Sequence, residues 1–121
     1  MRKIICYPHS SVPAHFDSDV DYFKLFSRPD GSHSNVNPLG LSLPYQLKKY
    51  GIVPPIAVVD FAAFALSVVA ADKLIPRVDS PDGWTRMIDL TIFISEPNKW
   101  IQLKIIIEEM LKFLTGDFWT L

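Results

Sequence analysis

From Ile52 to Ala71 the chain is apolar except for Pro54, Pro55, Asp60 and Ser67. No other stretch narrows the fold as much. A membrane span needs about twenty clean apolar residues, and an acid inside one is expensive. Asp60 within the run, and Asp72 and Lys73 just after it, argue instead for a helix buried by other elements. Pro54 and Pro55 start it, since a proline in the first turn gives up an N–H that would be unpaired anyway. Pro76 stops it. The pattern predicts a helix from Ile56 to Leu74 in the middle of the domain. Asp60 and Ser67, seven residues apart and so on one face, should mark its least buried stripe.

The 121 residues are 49% apolar and 21% charged, enough for one domain with a real core. A net charge of −1 gives no general attraction to nucleic acid or anionic membrane. The single cysteine, Cys6, excludes an intramolecular disulfide and fits a reducing, cytoplasmic setting. The apolar run in Met1–Pro8 is too short for a signal-peptide core.

Around the central helix the remaining elements follow from periodicity. Lys3–Tyr7 reads as a strand ended by Pro8, and Tyr22–Phe26 as a second. A polar segment over 27–38, with Pro29, Gly31 and Pro38, reads as a flexible loop. Leu43–Tyr50 is a short helix with Gly51 at its C-terminal end. Trp84–Ile94 alternates, with Trp84, Arg86, Ile88, Leu90, Ile92 and Ile94 inward. Ser95-Glu96-Pro97 starts a last helix, carried by Trp100, Leu103, Ile107, Met110, Leu111 and Leu114 and ended by Gly116. Phe118–Leu121 opens a final strand, which reads as the start of a longer protein and as an edge through which copies could pair. The expected fold is α+β: a small, mainly antiparallel sheet with two long helices on one face. A split βαβ arrangement fits the last three elements.

Catalytic motifs are scarce. There is no Gly-rich phosphate loop, nucleophile elbow, HExxH or CxxC, and Ser42 has no motif-level base. Cys6, His9, His15 and the distant His33 fall short of the ligand spacing of a zinc site. Asp17, Asp19 and Asp21 lack the glycine and terminal glutamate of a calcium loop. Trp84, Trp100, Phe118 and Trp119 could form an aromatic platform, but no basic residues interleave with them.

The richest constellation surrounds Asp82-Gly83-Trp84-Thr85-Arg86. Asp-Gly is a turn pair, and Arg86 on an inward position needs a carboxylate. Asp72 is the first choice of partner and Asp117 the second, with Arg77 close by. Two roles stay open for the group: an ion pair that fixes a helix-to-strand junction, or an arginine that captures a carboxylate or phosphate.

Ala70-Ala71-Asp72, Pro76-Arg77, Asp82-Gly83-Trp84-Thr85-Arg86 and Phe113-Leu114-Thr115-Gly116-Asp117-Phe118-Trp119 occur in that order. This series resembles the N-terminal region of QueC-like (7-cyano-7-deazaguanine synthase-like) anti-phage defence proteins of the QatC type, over residues 56–121. The resemblance implies a following PP-loop catalytic domain that uses ATP and a cysteine-bound zinc. The SGGxDS-like phosphate loop of that domain is absent from these residues. What it implies for this chain is a non-catalytic accessory domain that positions the catalytic half or docks a protein of the same operon. Asp72, Arg77, Asp82, Trp84, Arg86, Asp117 and Trp119 are the structural and docking candidates. A small nucleotide-binding protein or enzyme using Arg77 and Arg86 is the alternative, and a nucleic-acid accessory the weaker one.

Overall fold

The computed structural model describes residues 1–8, 15–26, 36–40 and 42–121. Strands β1 (Arg2–Pro8), β2 (Val20–Leu25) and β3 (Val36–Leu39) come first. Helices α1 (Ser42–Lys49) and α2 (Ile56–Leu74) follow. After a 3-10 turn at Arg77–Asp79 come β4 (Met87–Ile92), α3 (Pro97–Ile101), α4 (Lys104–Thr115) and β5 (Phe118–Thr120). The central helix has the bounds its prolines predict.

The fold is α+β, with the two long helices on one face of a five-stranded sheet in the order β3-β2-β1-β4-β5. Every strand pairing is parallel, not antiparallel as expected. The two helical connections force this: α2 carries the chain from one edge back past β1, and α4 carries it from β4 to β5. The segments 9–19 and 26–35 join parallel neighbours with fewer residues than the dozen or more such crossovers usually take, and so resemble hairpin loops in the sequence. Strand β3 was missed because Pro38 and Gly40 lie in it or beside it. The expected loop therefore ends before Val36, and its residues 27–35 lie outside the described residues, as do His9 and His33.

The core is the seam between helices and sheet. Ile4 and Cys6 of β1, Phe23 and Leu25 of β2, Ile88 and Leu90 of β4 and Trp119 of β5 meet Ala63, Ala70, Ala71 and Leu111 of the two helices. Along β1, β2 and β4 every second residue enters it.

Helix α2 is turned opposite to expectation. Asp60 and Ser67 are buried against the sheet side with Ala63, Ala70 and Ala71, while Ile56, Val58, Phe61 and Val69 are exposed. Small side chains let the helix lie close to the strands, and both polar groups are satisfied there. Ser67 Oγ donates to the Ala63 carbonyl at 2.7 Å. The Asp60 carboxylate accepts the N–H groups of Ser95 (2.8 Å) and Glu96 (3.0 Å) at the start of α3. The last helix also departs from its pattern. It breaks between α3 and α4, and Leu103, Met110 and Leu114, expected in the core, are exposed, leaving Leu111 as its fully buried residue.

No helix among the described residues is long and apolar enough to cross a membrane. Burial pushes the Cys6 thiol up to about 11, against a smaller opposing effect of its hydrogen bond with Ser67. Alkylation of native protein at pH 8 should therefore leave Cys6 unmodified, with full labelling after denaturation. Rapid native labelling would show that the α2–β1 seam opens.

Candidate functional site

The site grows from the connection between α2 and β4. Asp82 Oδ1 accepts the N–H groups of Trp84 (2.9 Å) and Thr85 (2.7 Å), and Gly83 takes φ +70°, which its lack of a Cβ permits. Those bonds, the Trp84 N–H first, hold the Asp82 carboxyl below the usual carboxylate range. The turn delivers Arg86 to the lip of β4, pointing under the end of α2.

Asp117 arrives from the opposite side. Gly116, at φ +76°, ends α4 with its N–H on the Lys112 carbonyl. The chain then turns into β5 with Asp117 fully buried. Its Oδ1 accepts the Arg86 backbone N–H at 2.9 Å, and its Oδ2 accepts Arg86 Nε (3.1 Å) and Nη2 (2.6 Å). Arg77 adds Nη1 to Oδ1 at 3.0 Å and Nη2 to Oδ2 at 3.2 Å. Burial alone would raise the Asp117 carboxyl. The hydrogen bonds and charge of Arg86, with the charge of Arg77, overcome it and hold the group below its ordinary value.

A guanidinium has five N–H donors, and Arg86, 3% exposed, uses the whole set. Nε and one Nη2 hydrogen go to Asp117, the other Nη2 hydrogen to Asp72 Oδ1 at 2.6 Å, and Nη1 to the carbonyls of Asp72 (2.9 Å) and Ile75 (2.8 Å). Hydrogen bonding to Asp117, then Asp72, raises its pKa further. Both expected partners are thus present with their ranks reversed, since Asp117 is buried and Asp72 is half exposed. Arg86 ties the last turn of α2, the start of β4 and the start of β5 together, and has no donor left for a ligand.

Trp84 is not an inward strand residue. It precedes β4, is 64% exposed, and lies over the Arg77 guanidinium at 4.8 Å. Arg77 also donates to the carbonyls of Trp84 (2.7 Å) and Thr115 (2.8 Å). The aromatic platform does not form: Trp100 stacks on Phe64, while Trp119 is buried with Nε1 on Thr115 Oγ1 at 2.9 Å.

All seven candidates, Asp72, Arg77, Asp82, Trp84, Arg86, Asp117 and Trp119, therefore meet in one junction. One contributor to the junction was missed in the sequence, and Asp60, read there as a wet edge, acts elsewhere. Thr115 Oγ1 also accepts the Asp117 N–H at 3.1 Å, while Asp60 works at the far end of α2. A threonine just before a helix-ending glycine was the available signal for Thr115. Beside the junction an open cleft of about 510 Å³ is lined by Met1, Arg2, Pro76, Asp79, Met87 and Phe118 among others, with Arg86 at its wall. Among the described residues no three His, Cys, Asp or Glu groups are placed to hold a metal. Comparison of the chain with family models, curated proteins and solved structures finds no match.

Proposed function

We propose that this chain is a non-catalytic accessory domain whose helix layer docks protein. It would position the PP-loop catalytic domain of a QueC-like defence protein of the QatC type or bind a protein of the same operon. One observation carries the reading: a set of large apolar side chains on both long helices lies exposed on the side away from the sheet. Val58, Phe61 and Val69 on α2, and Ile106, Met110 and Phe113 on α4, are all exposed, Phe113 at 88%. Apolar residues gathered on one side of a domain mark an interaction surface. Between Ile56 and Val69 that side of α2 carries no charge, whereas a helix lying on a lipid surface is rimmed with lysine and arginine. ATP and zinc belong to the catalytic partner in this reading, and a cytoplasmic setting goes with it. Nucleotide capture by Arg77 and Arg86 has less support, because the donors of Arg86 are all engaged within the junction.

Co-expression with the PP-loop domain and the proteins encoded beside the chain tests the proposal. At least one should co-elute with it through size exclusion. Ile106→Asp with Phe113→Asp should abolish co-elution and leave the melting temperature nearly unchanged, since exposed substitutions usually move stability by about 0.5 kcal/mol or less. A complex that survives both charges would overturn the reading.

A further inference from the structure

We propose that a pocket at the carboxyl edge of the sheet, walled on one side by α3, binds a single-ring aromatic compound whose hydrogen-bond acceptor lies on Lys104.

The pocket holds about 140 Å³. Its lining joins Ile92, the last residue of β4, and Leu121, just past β5, to Phe64 of α2, Trp100 of α3 and Ile107 of α4. It therefore lies beyond the strand ends where parallel sheets take their ligands. The helix break at Gln102 and Leu103 sets α3 apart from α4. The Asp60 carboxylate fastens the other end of α3 through the Ser95 and Glu96 N–H groups. Pro97, Trp100 and Ile101 of α3 thus stand as a fixed wall. Size and surface select the guest. An apolar cavity of about 150 Å³ takes up benzene, so this one has room for one ring. Phe64 and Trp100 stack with centroids 6.3 Å apart, and aromatic walls favour an aromatic guest through offset and edge contacts.

Lys104 supplies the polar end. It is the one polar side chain in an otherwise apolar lining, its stem on the wall and its head toward water. Nζ stands 3.8 Å from Glu108 Oε1, beyond hydrogen-bond reach, and that oxygen already accepts the Leu121 N–H. The three ammonium donors are thus unengaged among the described residues. Because Glu108 balances the charge, the site selects an acceptor rather than a net negative ligand. A carbonyl on a short stem from the ring meets that need, which the side chain of a docked phenylalanine does not.

Titration of the chain with phenylacetamide, followed by the indole N–H resonances of its tryptophans, tests this. The Trp100 signal, assigned with Trp100→Phe, should shift saturably while those of Trp84 and Trp119 stay in place. A Kd on the order of 1 mM suits a ligand of about ten heavy atoms. Lys104→Met should weaken phenylacetamide about fivefold, the worth of one net hydrogen bond. Toluene, which has the ring without an acceptor, should bind wild type and Lys104→Met alike. Ile107→Trp fills the pocket and should abolish both. No saturable shift at Trp100, undiminished binding to Lys104→Met, or binding that survives in folded Ile107→Trp overturns the site. If neither compound binds and Ile107→Trp instead abolishes co-elution with the catalytic domain or operon partner, the pocket belongs to the docking surface. The ligand proposal then falls and the docking reading stands.

Discussion

Asp117→Ala is expected to lower the stability of the fold by about 3–5 kcal/mol, the range for breaking a buried ion pair on one side. A chain of this size has about 5–15 kcal/mol in total, so the variant should lie close to unfolding at 37 °C. The loss has an identifiable origin: Arg86 would stay buried with only the half-exposed Asp72 as counter-charge, and the Arg86 N–H would lose its acceptor. Urea unfolding measures the effect. Arg86→Met combined with Asp117→Leu should recover a large part of it, because neither charge then stays buried alone. A loss below about 1 kcal/mol for Asp117→Ala would mean that water enters the junction. The same carboxyl sets an acid limit. Its folded-state pKa lies below the unfolded value of about 3.9, so the unfolded chain takes up the proton first as pH falls. The stabilisation is full at neutral pH and declines below about pH 5. Asp117→Asn should flatten that acid limb.

Asp60→Ala should cost about 2–3 kcal/mol. The carboxylate is the acceptor for two neighbouring N–H groups at the start of α3, and its removal leaves both without a partner in a partly buried position. Amide exchange at Ser95 and Glu96 should accelerate with the loss. Asp60→Asn, which keeps one acceptor oxygen, should fall between wild type and alanine. Unchanged exchange at both amides would show that the cap is not what fixes α3.

The sequence made the elements legible where local chemistry alone decides them. Proline placement bounds α2, the period of two marks Ile88 and Leu90 as inward, and the inward arginine announced the junction with Asp72 and Asp117. Two features depend on neighbours distant in sequence and were hidden. Strand direction is set by where a connection crosses, which apolar periodicity does not encode. The facing of α2 was masked because apolar residues surround it on nearly all sides, so Asp60 and Ser67 looked like its wet edge. Their burial follows from the need for small side chains at the sheet and from amides of α3 that lie 35 residues away from Asp60. Trp84 misled for a related reason: it keeps the parity of the strand but stands before it, held by Asp82 and Arg77.

The central place of β1 has a consequence for how the chain is made. β1 leaves the ribosome before both strands that finally flank it, β2 and β4. β2 follows soon, but Ile4 and Cys6 gain their other neighbour only when Leu90 and Ile92 have been synthesised. At about 5–20 residues per second that wait lasts roughly 4–17 s. During it an apolar strand remains half paired, and the long-range parallel contacts that close over it are of the slow-forming kind. Biogenesis of this domain should therefore be most vulnerable to strand capture and aggregation before β4 emerges, and chaperone dependence should fall sharply for nascent chains long enough to expose residue 92.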